Sequence, residues 1–146
     1  MTELHRFLEN HYSGKGKETV VRFERIVRLV SDDDIAISLI EKLVESAQRY
    51  FTAVTTMEAK LKAARFRMEG DEIRELTETL DRNRHLAHNA LLDNLRIANR
   101  YILKEFGEEV PVGGLYSKSP ESIQDRAAVG DWAGELLYAL YSARKR

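Results

Sequence analysis

The strongest pattern in this sequence is an apolar repeat that continues without a miss from Ala36 to Met68. Its members follow each other at alternating steps of four and three residues: Ala36, Ile40, Leu43, Ala47, Tyr50, Val54, Met57, Leu61, Ala64 and Met68. Such spacing is a heptad seam, which keeps one helix face against a partner helix. It predicts one helix over about residues 34–69, which would be about 54 Å long at about 1.5 Å per residue.

A second long helix is expected directly after the first. Between them stands Gly70-Asp71; glycine suits the left-handed position after a helix, and aspartate suits the N-cap of the next one. The second pattern covers about residues 71–106, with apolar positions at Ile73, Leu76, Leu80, Leu91, Leu95, Ala98 and Ile102. Two helices of similar length joined by a short turn predict an antiparallel helical hairpin.

Shorter helices are predicted on both sides of the hairpin. Two precede it, over about residues 2–12 and 18–30, and a last one opens at Ser119-Pro120-Glu121, where Ser can cap and Pro prefers the first helical position. Residues 107–119 are predicted to form a loop, and the pattern leaves open whether residues 1–17 are ordered or flexible. No segment alternates apolar and polar residues as a strand does. The expected fold is an all-α, up-and-down helical bundle in a single domain of residues 1–146.

Composition limits the classes of function. The chain has 23 basic and 24 acidic residues and a formal net charge of −1, so no long-range field attracts it to nucleic acid or an anionic membrane. Cysteine is absent, which excludes disulfides and thiol catalysis and fits a reducing compartment. The N-terminus lacks the apolar core of a signal peptide, and no apolar run has the length of a membrane span. We therefore expect a soluble cytoplasmic protein.

The candidate cofactor and metal motifs lack the spacings that their chemistry requires. The basic glycine run at residues 14–19 is not a phosphate loop, because Glu follows Lys17 and no strand precedes it. Asp81, His85 and His88 follow each other about one turn apart on the second long helix and could hold zinc, but clear inward-facing third and fourth ligands are missing. We expect neither a cofactor nor a metal.

Small residues near the C-terminus indicate close packing. Gly130 and Gly134 lie one helical turn apart on either side of Trp132. We interpret them as a close helix crossing with a core tryptophan, and a groove for a partner is the alternative.

Polar residues interrupt the apolar stripe of the second long helix. Followed backward from Ile102 through Leu91, the stripe reaches His88 and then Arg84. Residues four apart lie about 40° apart around a helix, so Arg84 and His88 share one face. They form either a structural polar cluster, with neighbours such as Asp81, or a site at an interface.

The same stretch resembles the signature of a known superfamily. Arg82-Asn83, followed after four more residues by His88, is similar to the motif of the HEPN superfamily, whose members are small all-helical proteins. Many are metal-independent ribonucleases with active sites that form across a dimer interface. The resemblance implies that His88 acts as general base or acid on the 2′-hydroxyl of RNA, that Arg82 stabilises phosphate charge, and that Asn83 supports the site.

A broader resemblance covers residues 82–100, RNRHLAHNALLDNLRIANR, together with residues 130–133, GDWA. These stretches look like small uncharacterised helical proteins of bacteria, which implies a helical bundle and a bacterial source but no activity. Our leading hypothesis is therefore a non-catalytic helical binding or regulatory protein. Apolar surface left over on the hairpin leads us to expect a homodimer. A HEPN-type ribonuclease is the alternative.

Overall fold

The computed structural model describes residues 2–14, 17–18, 23–108 and 123–144, with the side chains of the last segment from residue 133 onward. Within these ranges the chain is helical and contains no strand. The helices are α1 (Glu3–Tyr12), α2 (Glu24–Val30), α3 (Asp34–Ala64), α4 (Gly70–Phe106) and α5 (Ile123–Arg144). The predicted all-α class and the long helical hairpin are confirmed. The predicted helix start at Ser119 and nearly all of the predicted loop lie outside the described residues.

The hairpin of α3 and α4 forms the long axis of the molecule. At about 1.5 Å per residue, the two helices are about 46 Å and about 56 Å long. Asp33 caps α3, because its side chain accepts a hydrogen bond of 2.8 Å from the backbone N–H of Ala36. Gly107 ends α4 in the left-handed conformation, at φ 73°, which glycine adopts without steric cost.

The turn of the hairpin differs from the sequence prediction. The first long helix ends at Ala64 rather than near residue 69, and the N–H groups of Arg67 and Met68 then bond to the Ala64 carbonyl in a turn. Gly70 does not have a positive φ; it is the first residue of α4, and Glu69 rather than Asp71 occupies the N-cap. None of the other described helices packs over this end of the seam, so burial does not favour extending α3.

The core lies at the other end of the hairpin, where α5 packs against α3. Helices α1 and α2 pack on α5, and α2 also touches α4. The continuous cluster of buried apolar residues includes α3 only as far as Val54 and α4 only from Leu91 onward. We call this part of the molecule the body. Residues 55–86, which continue beyond it as two helices and their turn, are called the arm. The heptad seam therefore belongs to the core within the body, whereas in the arm several of its residues remain partly exposed.

Side-chain contacts hold the start of α3 to its neighbours. The Tyr101 hydroxyl of α4 donates to both carboxylate oxygens of Asp33, at 3.2 and 3.1 Å. Arg144 of α5 donates to the Ser31 carbonyl at 2.8 Å and pairs with Asp34. Desolvation, followed by the hydrogen bond to Asp33, raises the pKa of Tyr101. None of the described helices combines the length and apolar character needed to cross a membrane.

Candidate functional site

The polar residues that interrupt the apolar stripe of α4 have different environments. His88 is 7% exposed and faces the body, whereas Arg84 is half-buried at the edge of the arm. Arg82 and Asn83 are exposed on other sides of the helix. The fold therefore directs His88 toward the interior, directs Arg84 partly inward, and leaves the other two in solvent.

Arg84 lies in a network of polar groups on α4. Its Nε and Nη2 donate to Oδ1 of Asp81 at 3.0 and 2.8 Å, and Nη2 lies 3.3 Å from Nε2 of His85. The hydrogen bond from Arg84 holds the pKa of the Asp81 carboxyl below its ordinary value. The same bond, with a smaller contribution from a hydrogen bond to Tyr50, raises the pKa of Arg84.

Tyr50 connects this network to α3. Its side chain is fully buried, and its ring centroid lies 6.1 Å from that of His88. Tyr50 therefore lies close to both polar residues of the α4 stripe. Its ring packs against that of His88, and its hydroxyl contributes to the raised pKa of Arg84. The contact lies where the body meets the arm. It joins the two long helices at one specific register, because a shift of either helix would separate the three side chains.

The residues of the HEPN-like motif do not converge within one chain. Arg82 and Asn83 reach solvent on one side, while the imidazole of His88 is packed against Tyr50 on the other. The side chains of Asp81, His85 and His88 do not form a metal-binding group, and no cluster of three such ligands occurs among the described residues.

A second polar contact between the long helices was not predicted from the sequence. Ser46, on the buried face of α3, donates to the Lys42 carbonyl at 2.8 Å and accepts a hydrogen bond from Asn94 of α4. Both residues lie just off their apolar stripes, and small polar side chains at such positions are too common in helices to indicate a contact.

Two adjoining pockets lie between α1 and α3, and we call them together the groove. Its wider part has a volume of about 630 Å³ and its narrower part about 100 Å³, and the two parts share Phe7 and Gln48. The lining extends from Glu3 to Tyr12 on α1 and from Val44 to Ala53 on α3. Along each helix this is about 14 Å, at about 1.5 Å per residue.

Two aromatic side chains give the groove its apolar character. Phe7 is 48% exposed and Phe51 is 36% exposed. The ring of Phe7 stacks on His11, with centroids 5.8 Å apart. The sequence does contain a signal for these residues, namely aromatic side chains outside the buried stripes. Phe7 lies beside the stripe that Leu4 and Leu8 form, and Phe51 follows the seam residue Tyr50. Sequence reasoning followed the stripes and missed the aromatic residues beside them.

Gly134 of α5 forms part of the floor of this groove. A Cβ atom at this position would lie 3.2 Å from the Tyr12 hydroxyl and 3.7 Å from a methyl group of Leu8. The absent side chain lets α1 approach α5 closely, as predicted for Gly134. The other two residues of that prediction, Gly130 and Trp132, have side chains outside the described part of the structure.

Comparisons with known proteins agree with the broader of the two sequence resemblances. No curated protein matches the chain. A family model described as "Protein of unknown function (DUF3232)" matches residues 2–146. This is not a model of the HEPN superfamily, and its description assigns no activity. Because the match extends over nearly the whole sequence, the chain belongs to the DUF3232 family of proteins of unknown function.

Proposed function

We propose that this protein is a non-catalytic helical binding protein with a regulatory role, and that the groove between α1 and α3 binds an amphipathic helix of a partner protein. The proposed setting is the cytoplasm of a bacterium, which the lack of cysteine and the resemblance to bacterial helical proteins support. The homodimer expected from the sequence is part of the proposal.

The observation that carries the proposal is the exposure of Phe7 and Phe51 on the two walls of one groove. Scattered apolar residues on a surface are normal, but aromatic side chains gathered around a concave strip are typical of binding surfaces. Covering both rings would remove apolar area from water at about 25 cal/mol per Å². This gain is available only to a partner that enters the groove.

The shape and charge of the groove indicate what would fit it. A strip about 14 Å long between two helices matches between two and three turns of a third helix, which would place apolar anchors at positions i, i+3 or i+4, and i+7. Glu3 and Glu45 line the groove with one base, Arg49. We therefore propose a partner helix with an apolar face and basic residues beside it.

The groove is tested by photo-crosslinking in bacterial cells. With p-benzoylphenylalanine in place of Gln48, we expect one major crosslinked protein, because this position lines both parts of the groove. The crosslinked segment, made as a synthetic peptide, should bind the isolated protein with 1:1 stoichiometry. Phe7→Ser should weaken that binding about tenfold or more, since it removes one buried aromatic anchor.

The matched control carries the crosslinker at Asn89, which is exposed on α4 away from the groove. It should give no major adduct. Equal adducts at both positions, or peptide binding that Phe7→Ser leaves unchanged, would contradict the proposed groove.

The two interpretations of His88 lead to different results for one variant. We propose that Arg84 and His88 form a structural cluster, a role supported by the burial of His88 against Tyr50. His88→Ala is then expected to lower the free energy of unfolding by about 1 to 3 kcal/mol, because it removes a side chain that is buried against Tyr50. The native protein should not cleave RNA in a metal-free buffer. Urea unfolding and a gel assay with single-stranded RNA measure the two quantities.

His85→Ala is the control, because His85 is exposed on the same helix and the change should shift stability by less than about 0.5 kcal/mol. The ribonuclease alternative predicts the opposite pattern: metal-independent cleavage that His88→Ala abolishes while the unfolding curve stays native. That result would refute the non-catalytic proposal.

A further inference from the structure

The arm exposes apolar side chains that no other described element covers. Phe66, in the turn, is 85% exposed, and Met68 beside it is also exposed. Four residues along the seam of the arm are only half-buried: Met57, Leu61, Ile73 and Leu76. Ala64 and Leu80 in the arm are buried, but two helices alone leave the other positions of the seam partly open to water.

Charges in the arm are separated by sign between its two helices. Residues 58–67, at the end of α3 and in the turn, contain one acid, Glu58, and four bases, Lys60, Lys62, Arg65 and Arg67. Residues 69–79, at the start of α4, contain one base, Arg74, and five acids, Glu69, Asp71, Glu72, Glu75 and Glu78. One helix of the arm is therefore basic and the other acidic.

These eleven charged side chains are exposed, and none of them takes part in an ion pair among the residues that the structure describes. Helix dipoles account for the signs, because bases are favourable at the end of α3 and acids at the start of α4. Dipoles do not account for Phe66 and Met68, which place apolar surface next to both charged faces.

From these observations we infer that the arm is the interface of the homodimer, and that the arms of two copies overlap at their outer turns to form a short four-helix bundle. A twofold axis places α3 of each copy beside α4 of the other, so each basic helix faces an acidic one. Phe66 and Met68 then pack between the arms, and the two bodies point away from each other without collision.

A second copy suits this surface better than an unrelated partner does. Each copy has one basic and one acidic helix in its arm. A twofold arrangement therefore places every basic helix beside an acidic helix of the other copy. The inference rests on the homodimer in the proposed function and adds the surface that forms it. It involves none of the residues that line the groove.

The first test measures the association of the full chain by sedimentation equilibrium up to about 100 µM, because an interface of this limited length belongs to the weaker class. We expect a reversible monomer–dimer equilibrium. Phe66→Ser should raise the dissociation constant about tenfold or more, since it removes a large apolar contact. Ile97→Ser, at a position on the outer face of α4 that is 50% exposed, should leave the constant unchanged.

The second test reverses the charges of one helix at a time. Arg65→Glu with Arg67→Glu makes both helices of the arm acidic near the turn, and Asp71→Lys with Glu72→Lys and Glu75→Lys makes both basic. Each charge-reversed variant should be monomeric alone, because like charges then face each other. An equal mixture of the two should form a one-to-one heterodimer, because the acidic arm of one variant then faces the basic arm of the other. A variant that failed to fold would not be rescued by mixing, and circular dichroism of each variant checks its helix content.

Three outcomes would overturn the inference. If the native protein stays monomeric, both the homodimer and its interface are refuted, but the groove proposal is unaffected. If a dimer forms and is unaffected by Phe66→Ser and by both charge reversals, the homodimer is supported and only the arm as its interface is refuted. A monomer whose Phe66 mediates binding to vesicles of anionic phospholipid would mean that the arm contacts a membrane surface instead.

Discussion

Replacing Tyr50 with alanine is expected to lower the free energy of unfolding by about 3 to 5 kcal/mol, a large share of the total for a domain of this size. The ring is fully buried at the junction of the body and the arm, and it contacts His88 and Arg84 on α4. Its loss leaves a cavity and removes the polar interaction of its hydroxyl with a half-buried guanidinium. Urea unfolding followed by circular dichroism measures the change.

Two neighbouring variants separate the causes. Tyr50→Phe keeps the ring and removes the hydroxyl, so we expect a loss of about 1 kcal/mol. Phe51→Ala removes a ring of similar size at the next position, but that ring is largely in the groove, so stability should change by less than about 1 kcal/mol. If Phe51→Ala destabilised the fold as much as Tyr50→Ala, the groove would be part of the core rather than a binding surface.

The second large effect is expected at the floor of the groove. Gly134→Leu should lower the free energy of unfolding by about 1 to 3 kcal/mol, because the new side chain must displace Tyr12 and Leu8 of α1. It should also prevent the partner peptide from binding, since the side chain occupies the narrower part of the groove. Urea unfolding and peptide titration give the two results.

Gly134→Ala is the matched control. Its Cβ would lie 3.2 Å from the Tyr12 hydroxyl, which is the end of a side chain that can rotate away. Alanine also gains about 1 kcal/mol of helix propensity over glycine, so the net change should be near zero. Two equally destabilised variants would show that α1 cannot move at this crossing. Normal peptide binding by Gly134→Leu would mean that the partner does not use this part of the groove.

Much of the fold could be predicted because one apolar period dominates the sequence. The steps of four and three residues from Ala36 onward predict one long helix. The apolar positions that end at Ile102 predict a second helix of similar length. Asp33, which caps α3, is also next to the start of the helix in the chain, and aspartate satisfies the first N–H groups of a helix. These features depend on residues close together in the chain.

The turn was predicted less well, because its position depends on what packs around it. Gly70 and Asp71 have suitable propensities for a helix end and a cap, yet α3 ends at Ala64 and α4 begins at Gly70. Local preference there is worth about 1 kcal/mol per residue, and without burial at this end of the seam nothing further favours a longer α3 over a turn after Ala64. A heptad pattern, however regular, does not show how far along it the other helices pack.

Spacing along single helices was enough to predict the all-helical class, the long hairpin, and the position of His88 and Arg84 on the inner stripe of α4. Contacts between helices were needed to show that the core includes only part of the hairpin, that Tyr50 contacts His88, and that Phe7 and Phe51 flank a groove over Gly134. Those contacts are between residues that are distant in the chain. They are set by the way α1 and α5 pack on α3, which no periodicity within a single helix encodes.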